Sequence, residues 1–258
     1  MSPPLRSLQP AEWGPRSAAP RKTPSQTQAE QALQRIHEDI ISGAFVPGER
    51  LRPEELKQRY SFGLSPIREA LLRLSAEGLV SLEGQRGFKV PDASTSELMD
   101  IARVRTELSC LALRDSIVSG DDKWEATVVA TFHRLERIYP LMVKKPREHA
   151  QEWEARNRDF HAALESACGS PWLLHFNAVA FAQSERYRRH FVDYSFLLPG
   201  AQQEHHDIML AAINRNAAAA CEHLAHHIAE NVQVVLNCMT GGKGARGRNP
   251  RLAKVNER

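Results

Sequence analysis

A chain of 258 residues, 42% of them hydrophobic and 25% charged, exceeds the roughly 100–200 residues of one typical domain, so two domains with separate cores are expected. No stretch approaches the ~20 apolar residues of a membrane span, and the first residues lack the apolar core of a secretory signal, so a cytoplasmic protein without membrane contact is expected. The net charge of +3 gives no bulk electrostatic basis for nucleic-acid binding, because two basic tails hold the excess and the body between them is acidic.

Residues 1–25 carry Arg6, Arg16, Arg21 and Lys22 against Glu12, together with six prolines, and residues 241–258 carry six Lys or Arg against Glu257. Both tails are expected to be disordered. The C-terminal one reads equally as a sequence-blind phosphate contact or as a solubilising tail. Cys110, Cys168, Cys221 and Cys238 are far apart and form no C-x-x-C pair, which argues against a zinc ribbon or a disulfide framework. Buried structural thiols are the expected reading.

From Gln26 the chain changes character. Ala29, Leu33, Ile36, Ile40 and Ile41 recur at spacings of three and four, predicting an amphipathic helix that Gly43 and Pro47-Gly48 end. A short second helix fits Pro53 to Tyr60, and Ser61-Phe62-Gly63 makes a turn. Ser65 is read as the N-cap of a third helix, Pro66 to Glu77, with Pro66 at its first position. Ile67, Ala70, Leu71 and Leu74 take its buried side, leaving Arg68, Glu69 and Arg73 outside. Two β-rich runs, 79–82 and 88–91, flank Glu83-Gly84-Gln85-Arg86-Gly87 and read as a hairpin.

Three helices and a hairpin over 26–92 predict a winged helix-turn-helix. Its third helix is thin enough for the major groove, where Arg can bond both acceptors of guanine, and the wing can reach phosphate or the minor groove through Arg86. Each arginine taken alone is more simply a solvated charge. The expected contact set is Arg52, Ser65, Pro66, Arg68, Arg73, Arg86 and Gly87. With nine Lys or Arg against ten Asp or Glu over 26–92, binding must rest on a few focused contacts.

The order and spacing of Ile40-Ile41-Ser42-Gly43, Pro47-Gly48, Leu51, Glu55-Leu56, Ser65-Pro66-Ile67-Arg68-Glu69-Ala70-Leu71, Gly78-Leu79-Val80 and Arg86-Gly87-Phe88-Lys89-Val90 resemble the DNA-binding domain of GntR-family regulators. The resemblance implies that Arg68 is the recognition-helix arginine and that Gly87 lets the wing approach the minor groove. One departure stands out: Leu64 occupies a position where relatives often have a DNA-contacting arginine, so operator sequence and affinity do not carry over.

Beyond Ser96 the pattern is almost wholly helical. The helices expected are Glu97 to Ser119, Asp121 to Tyr139, Arg147 to Ala167, Pro171 to Phe191, Ala201 to Asn214 and Ala217 to Met239, with stops at Gly120, Pro140, Gly169-Ser170-Pro171 and Pro199-Gly200. An antiparallel bundle over 96–240 follows. Ten of the eleven histidines lie beyond residue 130. Asn157 and His161, four apart, share a helix face, and successive antiparallel helices can bring His205 to His227. Imidazoles from three helices suit a borderline divalent ion, zinc first, with nickel or manganese as alternatives. Isolated surface or core histidines are the competing reading, and by spacing alone His206, His223 or His226 could substitute.

This half resembles the FCD ligand-binding domain of the FadR-type subgroup of the same family. The likeness rests on Arg105, on Asn157-Arg158-Asp159-Phe160-His161, and on Glu204-His205 through His227-Ile228. It implies Asn157, His161, His205 and His227 as the metal ligands, with Asn157 a neutral stand-in for the usual Asp. It also implies that Arg105 helps the metal to hold the carboxylate of a small organic acid. Arg105 read by itself could equally be a surface salt-bridge partner. The segments around 120–125, 132–135, 167–173 and 184–188 look most like the branch containing the carbon-starvation regulator of glutarate catabolism, which implies a dicarboxylate or related acid and adds Arg186, Tyr187 and Arg188 as pocket candidates. The function expected is a homodimeric repressor binding double-stranded operator DNA and answering to this effector. A metal-dependent hydrolase built on the bundle is the alternative, weakened by the lack of a general base among the ligands.

Overall fold

Thr27 opens the first helix with a reciprocal capping box: its side chain takes the Glu30 amide while Glu30 reaches back to the Thr27 amide. A computed structural model describes residues 26–84, 87–192 and 198–241. Both tails and Arg86 lie outside the described residues.

Helix α1, Gln28–Ile41, buries Ala29, Ala32, Ile36, Ile40 and Ile41 and packs chiefly on α3, Leu64–Ala76. Between them α2, Pro53–Tyr60, starts with Pro53 where no amide bond is lost, and ends at Ser61, held left-handed at φ 58. Helix α3 begins earlier than the sequence suggests. Its N-cap is Gly63, with no side-chain cap, so Ser65 and Pro66 lie inside the first turn rather than at the cap and first position. Pro66 fits there because first-turn amides have no intrahelical acceptor.

The wing is a three-stranded antiparallel sheet in the order β1-β3-β2, from Arg50–Leu51 (β1), Ser81–Leu82 (β2) and Phe88–Lys89 (β3). The expected hairpin is present, and β1 adds a strand that no alternation could announce at two residues long. Leu51 faces Phe88 across it, and both join the core of Ile36, Leu56, Ile67, Leu71, Leu74 and Val80.

Among the described residues a second core belongs to seven helices: α4 (Thr95–Ser119), α5 (Asp122–Glu136), α6 (Tyr139–Lys144), α7 (Pro146–Glu165), α8 (Pro171–Phe191), α9 (Leu198–Ile213) and α10 (Ala217–Met239). Four of them begin on a side-chain cap, from Ser94, Asp121, Ser170 and Asn216. Helix α4 packs on α8 and α10, α7 on α5 and α6, and α9 on α10 and α5. The mainly α architecture, a winged helix-turn-helix followed by an all-α bundle, is thus the one the chain adopts. One helix was not expected: Pro140, read as a stop, is also an N-terminal residue of α6, where its fixed φ and missing donor cost little.

Helix α8 joins the two cores. Every residue from Gln183 to His190 is buried, although only Tyr187 among them is aromatic and the rest are polar or charged. Such a stretch needs protein on every side and a partner for its polar groups. The partners lie on opposite faces. Gln183 donates to the carbonyl of Glu77 at the end of α3 (2.8 Å), whereas Arg188 meets Glu154 inside the bundle.

Candidate metal centre and nucleic-acid interface

His161 on α7, His205 on α9 and His227 on α10 converge in the bundle interior, all buried, with one ring nitrogen from each within 4.8 Å of the others. Tetrahedral zinc–nitrogen bonds of ~2.1 Å place ligand nitrogens about 3.4 Å apart; the cluster needs only a small contraction to match. Asn157, one helical turn before His161, is also buried, and its Oδ1 has no hydrogen-bond partner. The same is true of Nε2 of His161 and of His205. Three buried polar atoms without partners in one place are costly unless something binds them.

Neighbouring side chains orient these rings. The Tyr139 hydroxyl on α6 lies 2.8 Å from His205 Nδ1. With a metal on Nε2 the proton sits on Nδ1, and the phenol oxygen accepts it. Asn231 Nδ2 donates to His227 Nε2 at 3.0 Å, which makes that nitrogen the acceptor and leaves Nδ1–H to donate to Glu204 at 2.6 Å. A carboxylate behind an imidazole in this way raises its basicity. Burial pushes the His161 and His205 imidazoles well below the usual range, and repulsion by the other imidazoles, Arg105 and Arg188 adds to it. Burial likewise holds His227 at about 3. All three are therefore neutral at pH 7, as a divalent ion requires; His161 and His205 offer a free Nε2 lone pair, whereas that of His227 is held by Asn231 and would have to be given up to an ion. The donor set fits the group that the family resemblance implies.

Arg105 on α4 is buried. Its Nη1 donates to Ser184 on α8 at 3.0 Å, its Nε has no partner, and its Cζ lies 4.4 Å from the Phe181 ring centroid. The His161 ring is 5.6 Å from the same phenyl, so Phe181 touches both the cation and the histidine cluster. Burial, with Arg188 nearby, lowers Arg105 to about 10, which still leaves it charged at pH 7. Close by, Glu165 accepts from Asn177 Nδ2 at 2.6 Å, and Ser109 donates to Asn177 Oδ1. Burial pushes Glu165 up to about 7; it offsets Arg105 only in part. Arg105 thus keeps its positive charge beside three neutral imidazoles.

The structure brings Asn157, His161, His205, His227 and Arg105 together. It does not bring Arg186 and Tyr187 to this cluster. Arg186 lies about 200° round the helix from Ser184. It reaches the Pro91 carbonyl and Glu97, while the Tyr187 hydroxyl bonds Ser94 and Glu97 at the start of α4. Ser184 and Arg188, four apart, take the inward side, and Arg188 is held by Glu154 at 2.8 and 2.5 Å. The substitute histidines fall away: His206 and His223 are half-buried and His226 is exposed. Sequence reasoning missed Tyr139, Asn231, Glu165 and Asn177, and none belongs to a spacing pattern that could have marked it.

On the other surface, Ser65, Arg68 and Arg73 are exposed along α3, and Pro66 is half-buried. Neither arginine forms an ion pair among the described residues. Arg68 sits one turn beyond Ser65, with Arg73 about 140° further round. Arg52 is exposed at the start of α2 and paired with Glu55 at 2.7 Å. Gly87 adopts φ +87, a backbone conformation that disfavours any side chain there.

The comparisons agree on what these two halves are. Residues 28–90 match the family model described as bacterial regulatory proteins, gntR family, and residues 100–230 match the FCD domain. The chain is 39% identical over 206 residues to BphR of Paraburkholderia xenovorans, named an HTH-type transcriptional regulator, covering 80% of this chain and 84% of that protein. It is 33% identical over 210 residues to the HTH-type transcriptional repressor GlaR of Escherichia coli, covering 80% and 94%. Among solved structures, Escherichia coli McbR/YncC superposes with a TM-score of 0.69 at 20% identity, covering 83% of this chain and 99% of that one. The chain belongs to the GntR family of bacterial regulatory proteins, with an FCD domain following its winged helix-turn-helix.

Proposed function

We propose that this protein is a homodimeric transcriptional repressor of the cytoplasm whose operator binding is set by a small carboxylate, a dicarboxylate or related acid, bound in the FCD pocket. Residues 26–92 carry the DNA contacts, through Arg52, Ser65, Pro66, Arg68, Arg73, Arg86 and Gly87. Residues 96–240 carry ligand and dimer contacts. His161, His205 and His227, with Asn157, hold a divalent ion, zinc first. When bound, the ion supplies a Lewis-acidic position for one carboxylate oxygen, and the Arg105 guanidinium takes the acid's remaining charge. The observation that carries this reading is the buried Arg105 with a free Nε beside three neutral imidazoles.

Dimerisation has its own support. Val104, Leu111 and Val118 recur every seven residues on the outer face of α4, and all are exposed, as are Trp172 and Phe176 on α8. The bonds from Ser109 to Asn177 and from Arg105 to Ser184 set the two helices antiparallel, which puts these side chains on one face. Glu107 and Arg114, both exposed, lie evenly about its centre, so a two-fold axis there brings opposite charges together. A dimer also reads two half-sites, which one recognition helix cannot.

The test is fluorescence anisotropy on DNA from upstream of the protein's own gene, with zinc, chelator and a panel of mono- and dicarboxylates. A carboxylate should change operator affinity in the parent and lose that effect in Arg105→Ala, with zinc binding retained. Binding that is only salt-sensitive and blind to sequence would sink the regulator reading, and a melting temperature indifferent to zinc and chelator would sink the metal. A regulator is preferred to a hydrolase because the relatives described above are named as regulators or repressors.

A further inference from the structure

Two of the four cysteines face each other across a helix interface. Cys110 on α4 and Cys221 on α10 are 111 residues apart in sequence, yet Cys110 Sγ lies 3.6 Å from the Cys221 carbonyl and Cys221 Sγ lies 3.5 Å from the Cys110 carbonyl. Each side chain therefore reaches across the helix interface to the other residue. Ala217 and Ala220 on α10 share the bundle core with the two cysteines and add little bulk beside Cys221. Disulfides need Cα atoms roughly 4.4–6.8 Å apart with converging Cβ vectors. Cys110 and Cys221 are 7% and 6% exposed, which closes them to a protein partner.

We propose that Cys110 and Cys221 form a reversible intramolecular disulfide, joining α4 to α10, when the protein meets a small hydroperoxide. The thiols are unequal. The contact between the two side chains, with burial, holds Cys110 protonated, and the same contact with nearby Arg114 favours the Cys221 thiolate. Cys221 is therefore the attacking sulfur. Its thiolate attacks the peroxide oxygen, the O–O bond breaks, and the departing oxygen takes a proton as water or alcohol, leaving Cys221 as a sulfenic acid. The Cys110 sulfur then attacks the Cys221 sulfur. The S–S bond forms, the S–O bond breaks, and the departing hydroxide takes the Cys110 proton as water. Two thiols lose two electrons in all, and the peroxide gains them. An external dithiol reverses the step by exchange.

The link lies five residues from Arg105 along α4 and six from His227 along α10, about 7.5 and 9 Å. It thus ties together the helices that carry the guanidinium and one imidazole. That consequence rests on the ligand-pocket reading; the cross-link itself does not.

The experiment therefore reads the bond directly. Full-length protein is treated with hydrogen peroxide, alkylated, digested without reduction and mapped by mass spectrometry. Two of the four thiols should disappear into a Cys110–Cys221 peptide pair and return with dithiothreitol. In Cys110→Ser the oxidation should stop at a sulfenic acid on Cys221, trapped by dimedone. Four thiols retained under peroxide, a link involving Cys168 or Cys238 instead, or dimedone labelling absent from Cys221 in that variant would each overturn the proposal.

Discussion

Tyr139 and His205 sit on different helices, α6 and α9, and the phenol oxygen of the first lies 2.8 Å from Nδ1 of the second. This contact fixes which nitrogen of His205 faces the other two imidazoles. Tyr139→Phe removes the oxygen and keeps the ring, so the bundle should lose only about 1 kcal/mol. Zinc affinity should fall about 10- to 100-fold, the usual effect of deleting a group that orients a ligand. Competition against a coloured chelator measures it, and parent-like affinity would refute the orienting role.

Recognition of DNA should divide between the two arginines of α3. Arg68, near the N-terminus and one turn from Ser65, is placed for a base edge; Arg68→Ala should cost about 1–3 kcal/mol on the preferred operator and relax discrimination at one position. Arg73→Ala should weaken all sequences alike and lower the salt slope by about one. Anisotropy at several salt concentrations separates the two, and interchanged phenotypes would rule out this docking.

The buried carboxyl of Glu165 makes a pH signature. Folding pushes it up to about 7 from an ordinary 4.5, so the neutral form favours the native state below pH 4.5 and that contribution disappears as pH rises through 7. The full effect is about 3 kcal/mol. Glu165→Gln keeps an oxygen for Asn177 and removes the ionisation. Relative to the parent, the variant should be unchanged near pH 4.5 and more stable at pH 8 by up to this amount. Urea midpoints across that range test it, and a difference independent of pH would contradict it.

Ion pairs in this molecule should differ sharply in worth. Glu154 and Arg188 are 0% and 3% exposed, so Glu154→Ala takes the paired carboxylate from a buried guanidinium and should cost about 3–5 kcal/mol. Asp100 and Arg103 are 65% and 77% exposed, and Asp100→Ala should stay within about 0.5 kcal/mol. Chemical denaturation of both variants suffices, and equal losses would show that the bundle tolerates an uncompensated Arg188.

The histidine register shows where sequence reading stops. Spacing alone allowed His206, His223 and His226 alongside His205 and His227, because helical periodicity ranks faces without saying which face meets which helix. Family resemblance selected His205 and His227, the two that are buried against His161. Arg186 and Tyr187 lie away from that cluster, which the sequence could not show because α8 is enclosed on all sides over Gln183–His190. A helix with no solvent face offers no apolar stripe from which to tell its pocket side from its linker side.

By itself the sequence determined the winged helix-turn-helix, the helical character of the remainder and the candidacy of Asn157, His161, His205, His227 and Arg105. The first two are written in local signals, caps, breakers and periodicity, whereas the site candidates, which spacing alone left open, came from the family resemblance. Tertiary structure alone decided that Pro140 begins a helix carrying Tyr139 to His205, that β1 joins the wing, that Arg186 lies away from the histidine cluster and that Cys110 meets Cys221. Those relations join residues tens of positions apart, and contacts of that range depend on how whole helices pack, which no local pattern encodes.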